Sequence, residues 1–283
     1  MQANLDKPGH IRLLAGLALG ATLAWAPARA RATHEAVLEQ PALRHANIIS
    51  CDDSVEWPPF IRFERMQGKK TGQVTGYSID VIKEIFGRHG IAHTAVLVPW
   101  ARCLAELKSG KAYQMVLNAT YSEQRSRDYL LTRPYYSTTN CYYYSRRGYP
   151  KGLFITGLAD LKQYRVCGIY ADNYTTYGFQ PGEVDQGTGD FPALIGKLHA
   201  GRCALFLEKC EVMQGFMSVG KRYLDDPELA HASVPGMQAV PLYMMISRAY
   251  PHAAELKILL DAELTQMETS GRLAQLLKRV LPR

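Results

Sequence analysis

The stretch NATYSEQRSRDYLLTRPYY, Asn118 to Tyr136, sets a lone arginine, Arg125, five residues after Thr120. Just ahead of it, Met115 to Leu117 reads as a buried strand, and the chain then turns polar through Thr120, Ser122 and Glu123. A guanidinium is a planar fork of donors that matches a carboxylate in bidentate fashion, and it does not deprotonate in proteins. A structural salt bridge or a solvated side chain is the competing reading of such a residue. Asn118 and Thr120 are polar residues where a strand ends, which is where α/β sheets present binding groups.

Other chemistries leave little trace. There is no Ser/His/Asp order, no H-E-x-x-H and no Gly-rich phosphate loop, and the eight histidines are dispersed. Hydrolase and metal readings are therefore weak, and no cofactor is expected. The formal charge is +7, but basic residues are scattered among acidic ones with no Lys/Arg block of five or more, so nucleic acid is not an expected partner.

Stepping along the chain, Lys7 and Arg12 precede the apolar run Leu13 to Ala26, and small residues follow as Ala26-Pro27-Ala28 and Ala28-Arg29-Ala30. That pattern predicts a secretory signal peptide over residues 1–32. The run is shorter than the roughly 20 residues a bilayer needs. Cleavage near Ala32 removes four basic residues and one acidic one and lowers the charge to about +4. Six cysteines in an exported chain imply disulfides rather than thiols or metal ligands, and 15 connectivities are open. Cys51, ending one strand, and Cys103, opening the helix after the next, form one candidate pair; Cys167 and Cys203, in two strands of the later half, form another.

Ala46 to Cys51 reads as a strand, and a polar turn leads into the rigid loop Trp57-Pro58-Pro59-Phe60. A helix follows, with Ser78 as N-cap, Ile79, Ile82, Ile85 and Phe86 at helical spacing and Gly90 as stop. Thr94 to Val98 is a strand, Pro99 to Arg102 starts a helix that Gly110 ends, and Gln114 to Asn118 is a third strand. This β, α, β, α, β order predicts a parallel sheet flanked by helices. It restarts with a strand at Tyr164 to Tyr170, a helix near Phe191 to His199 and a strand at Cys203 to Leu207. The stretches CYYYSRRGYP (141–150) and LYMMISRAYP (242–251) resemble each other and predict two antiparallel crossings between two lobes. His252 to Val280, with leucines at helical spacing, returns to the first lobe.

The order and spacing of WPPF, GYSIDVIKEI, VPWARCLAELKSGK, NATYSEQR and RPYY resemble the periplasmic solute-binding proteins of polar amino acid ABC transporters, family 3 of the bacterial extracellular binding proteins. The second half matches more loosely, and the resemblance covers about Ile48 to the end. It implies a two-lobed α/β fold of periplasmic binding protein type II, with lobe 1 over 46–143 plus 248–283 and lobe 2 over 144–247. An arginine in a T-x-x-R turn grips the ligand's α-carboxylate in that family, and here Ser122-Glu123-Gln124-Arg125 gives Arg125 the role. Asn118 and Thr120 match positions that receive the ammonium and carboxylate. Trp57 matches an aromatic that stacks on the ligand side chain, Trp100 lines the same pocket, and Glu208 stands near the lobe 2 acid that meets the ammonium. Tyr77 is expected in the core, and Asp80 to cap or pair within lobe 1.

Two departures open the ligand's identity. Ala171-Asp172-Asn173-Tyr174 replaces the family's small turn after the first lobe 2 strand, and Tyr113 stands for its usual Asp; both permit an acid that is not an amino acid. The resemblance implies a monomeric periplasmic binder, not an enzyme, whose partners are a small-molecule ligand and an ABC transporter permease. The alternatives are an enzyme of the cyclohexadienyl dehydratase type, with Glu208 or Glu211 as general acid if burial raises its pKa, and a sensor partner without a permease.

Overall fold

A computed structural model of the chain describes residues 41–281; the segment 1–32 expected as a signal peptide lies outside the described residues. Among them no helix is long and apolar enough to cross a membrane. The first half runs β1 (Asn47–Asp53), β2 (Arg62–Met66), β3 (Lys69–Thr75), α1 (Tyr77–His89), β4 (Ala92–Val98), α2 (Trp100–Ser109), β5 (Met115–Thr120), α3 (Glu123–Asp128), β6 (Tyr129–Leu131) and β7 (Tyr136–Thr138). After it come β8 (Asn140–Ser145), α4 (Leu158–Leu161), β9 (Val166–Ile169), β10 (Asp185–Thr188), α5 (Phe191–His199), β11 (Leu205–Lys209), α6 (Cys210–Gly215) and β12 (Leu229–Ser233). The chain ends in β13 (Val240–Ser247), α7 (Ala253–Thr269) and α8 (Arg272–Val280).

Two sheets organise the molecule. One is ordered β4-β1-β5-β13-β6, with β7 also on β13; the other is ordered β10-β9-β11-β8-β12. In the first, β1 is parallel to β4 and β5, as the alternation of strands and helices requires, while β13 is antiparallel to β5. In the second, β9 is parallel to β10 and β11, while β8 runs antiparallel to β11 and β12. This is the mixed α/β, two-lobed architecture the sequence implies.

The two runs expected as crossings are instead central strands, one in each sheet. Cys141 to Tyr143 lie in β8, and Leu242 to Ile246, apart from Tyr243, lie buried in β13. A strand covered on both faces carries a near-continuous apolar run, so these stretches are core. The chain changes sheet earlier, at Thr139 between β7 and β8, and again between Ser233 and Val240. The polar ribbon of β2 and β3 gave no periodic signal because most of its residues are exposed.

Local reasons for the elements are visible. In α1, Ile79, Ile82, Ile85 and Phe86 are buried as their spacing predicts, and left-handed Gly90 stops the helix. Its N-cap is Gly76 rather than Ser78, because the Trp57–Phe60 loop passes there; at φ 127° a Cβ on Gly76 would sit 2.4 Å from the Phe60 carbonyl oxygen. Ser78 is left free to donate to Asn118 Oδ1 at 2.6 Å. Tyr77 is fully buried, as expected. Helix α7 returns to α1, where its buried Glu263 receives Arg88 and His89, each at 2.8 Å. Three disulfides form: Cys51–Cys103 and Cys167–Cys203, the two candidate pairs, and Cys141–Cys210.

Candidate functional site

The carboxyl ends of β1 and β5 face the ends of β9 and β11 across a cleft, the place where α/β sheets expose backbone and polar side chains. Between them lies a cavity of about 70 Å³. Arg125, Asn118, Thr120, Trp57, Trp100 and Glu208, the six residues singled out from sequence, all line it.

Arg125 lies in the first turn of α3, whose N-cap Ser122 accepts from the Arg125 backbone N at 3.1 Å. The side chain turns back to the end of β5, where Nη1 donates to the Thr120 carbonyl at 3.0 Å and to Thr120 Oγ1 at 2.9 Å. Both hydrogens of Nη1 are thereby used, which leaves the Nε and Nη2 edge for an acceptor. The guanidinium carbon sits 5.6 Å from the centre of the Trp100 ring. Burial disfavours its charge, with Asp172 opposing that effect, but among the described residues no acid comes within ion-pair distance of Arg125.

Thr120 Oγ1 also accepts from Asn173 Nδ2, at 2.9 Å. With both lone pairs occupied, its hydroxyl hydrogen is available to a guest's acceptor. Asn118 is used differently from expectation. Its Oδ1 accepts from Ser78 and from Tyr136 at 2.7 Å, and its Nδ2 donates to Asp52 Oδ2 at 2.8 Å, so the side chain chiefly fixes Asp52. Trp100 is buried by the Cys51–Cys103 bridge that ties α2 to β1, and its indole nitrogen has no protein partner.

From the second sheet, Glu208 is buried and accepts from the Lys209 backbone N at 2.6 Å and from the Trp57 indole across the cleft. Burial raises its pKa, against the pull of Lys209. Lys209 is buried as well; Nζ donates to Asn140 Oδ1 at 2.6 Å and to Tyr177 OH at 3.0 Å. Burial lowers its pKa to about 8, and Glu208 opposes that. Glu211 does not line the cleft; both its oxygens receive the Thr139 backbone N where the chain changes sheet.

Four further acids belong to the site and were not assigned to it from sequence. Burial lifts Asp52 to about 7 and Asp53 to about 6, and holds Asp172 well above the carboxylate range. Glu56 is fully buried: burial alone would raise its pKa, but the bidentate Arg65, at 2.8 Å, prevails and lowers it. Lys70 at 3.6 Å and Lys221, from the second sheet's side, at 3.8 Å complete its surroundings. The signal for Asp52 and Asp53 was their place at the carboxyl end of a parallel strand. Lys209 carried no comparable signal, since its partners Asn140 and Tyr177 are remote in sequence. Among the described residues no cluster of His, Cys, Asp and Glu is arranged to hold a metal ion.

The model of the bacterial extracellular solute-binding proteins, family 3, matches residues 54–282. No curated protein matches the chain by sequence. Among solved structures, the amino acid ABC transporter substrate-binding protein AbpA of Streptococcus pneumoniae bound to L-arginine superposes with TM-score 0.61 at 20% identity, over 87% of this chain and 96% of that one. The ancestral amino acid-binding protein AncCDT-1, a precursor of cyclohexadienyl dehydratase, gives 0.62 at 18% identity, over 84% and 96%. A histidine kinase sensor domain with similarity to periplasmic binding proteins gives 0.63 at 20%, over 84% and 99%.

Proposed function

The chain belongs to the bacterial extracellular solute-binding proteins, family 3, and from that membership we propose that it captures a small carboxylate-bearing ligand, an amino acid in the first instance, between two lobes in the periplasm and delivers it as a monomer to an ABC transporter permease. One observation carries the reading. The free edge of Arg125 and the hydroxyl hydrogen of Thr120 converge on one cleft with no acid in ion-pair distance of the arginine, which is a carboxylate receptor by donor count. Asp172 and Glu208, on the opposite wall, present carboxyl oxygens that can accept from an ammonium in either protonation state. A ligand touching both walls favours the shut form, because only a ligand with differential affinity for two states shifts their balance.

Thermal shift and calorimetry against amino acids and small organic acids test this, since a ligand at about 100 times its Kd stabilises by roughly 2.7 kcal/mol. Arg125→Ala is expected to cost about 2–5 kcal/mol of binding with the fold intact. Unchanged affinity in that variant refutes the assignment.

A second reading has one observation in its favour. The raised pKa of buried Glu208 beside a carboxylate-binding arginine is what a general acid needs, and it permits a dehydratase of cyclohexadienyl acids. Incubation with prephenate or arogenate decides: turnover, lost in Glu208→Gln, replaces binding by catalysis.

A further inference from the structure

Lys209 has no part in the carboxylate-receiving wall, yet it is 5% exposed, lines the same cleft and stands on the opposite sheet from Arg125. Its ammonium has three hydrogens, of which Asn140 Oδ1 and Tyr177 OH take two. Among the described residues neither Lys209 nor Arg125 forms an ion pair. A buried ammonium and a half-buried guanidinium, neither with an acid at ion-pair distance, are thus held on facing walls, a costly arrangement unless something neutralises them. The remaining lining adds two donors, the Thr120 hydroxyl and the Trp100 indole N–H, beside Asp52 and Asp53, whose carboxyl pKa values burial raises, and Glu56, which Arg65 neutralises. Glu208 and Asp172 do not contradict this, because burial favours their uncharged forms, which donate rather than repel.

We infer that the ligand carries two carboxylates, one received by Arg125 and Thr120 and the other by Lys209, so that an acidic amino acid or a small dicarboxylic acid bridges the two sheets. This rests on the carboxylate-binding reading above and adds the second anchor. A guest with one carboxylate leaves Lys209 unneutralised; a diacid satisfies both cations and ties the walls together.

Calorimetric titration of the full protein with matched pairs separates the two readings: glutamate against glutamine, aspartate against asparagine, succinate against butyrate. The diacid of each pair is expected to bind at least about tenfold tighter. Lys209→Met is expected to bring the glutamate-to-glutamine ratio near one, and Lys209→Arg to retain a preference for glutamate. Should Lys209→Met fail to fold, the wild-type pairs decide alone. Equal or tighter binding of the monocarboxylates, with Arg125 still required, overturns the second anchor and leaves the first. No carboxylate binding at all removes both. Tight succinate with weak glutamate identifies a dicarboxylic acid, and the reverse an acidic amino acid; either supports the inference.

Discussion

Asn173 Nδ2 donates to Thr120 Oγ1 at 2.9 Å, joining the loop after β9 to the end of β5. The same nitrogen reaches the Tyr121 carbonyl at 3.1 Å, so one side chain links the two sheets twice. Asn173→Ala removes both links, each worth about 0.5–1.5 kcal/mol net. Ligand affinity is expected to fall about threefold to a hundredfold, with a larger ligand-free radius of gyration by small-angle scattering and little change in Tm. An unchanged affinity shows that the link does not contribute to closure.

Gly215 makes a second contact across the cleft. A Cβ there would lie 2.3 Å from the Pro58 carbonyl oxygen and 2.7 Å from the Pro59 nitrogen, and backbone cannot move aside as a side chain can. Gly215→Ala is expected to cost about 1–3 kcal/mol, the usual range for overpacking. If the halves separate as proposed, calorimetry will show that cost in ligand affinity, while the ligand-free Tm stays near wild type. An equal loss of ligand-free stability makes the contact part of a rigid core instead.

Asp52 gives stability a pH dependence. Its pKa is raised from 3.8 to about 7 by burial, so the folded state holds a proton that the unfolded chain releases. The resulting stability is fully present below about pH 4 and is lost as pH rises through about 7, on the order of a few kcal/mol. Urea unfolding at pH 5 and pH 8 is expected to show a smaller loss in Asp52→Asn than in wild type. Parallel losses place the titration elsewhere in the cleft.

The Cys51–Cys103 bridge spans a sequence separation of 52 and is buried at both ends. Closing a loop of that length restricts the unfolded chain by about 4 kcal/mol in the loop-entropy account. Replacing both cysteines with serine is expected to lower the urea midpoint strongly. Because the bridge fixes α2 against β1, it also holds Trp100 beside Asp52 and Asp53, so ligand affinity is expected to fall too. A midpoint within error of wild type contradicts the expectation.

What could be read from sequence was what local rules determine. The apolar spacing of α1 and the β-branched run of β4 depend on neighbours within a few residues. The cleft's second wall did not yield to such rules. Lys209 lies on the strand that was expected to end at Leu207, and what makes it distinctive is a pair of partners 69 and 32 residues away. The runs of β8 and β13 resemble each other because each is an apolar strand inside a sheet, and that likeness alone does not separate a central strand from a crossing between lobes. Glu211, adjacent in sequence to the site, is drawn off to Thr139, a partner that sequence proximity does not reveal.

The placement of β13 bears on how the protein comes into being. Until Val240–Ser247 emerges, β5 and β6 lack the strand that lies between them, and a shortened chain ending earlier presents two open backbone edges to any neighbour. The first sheet is therefore completed only late in synthesis, and a chain that stops before Val240 is an aggregation-prone fragment rather than a functional half.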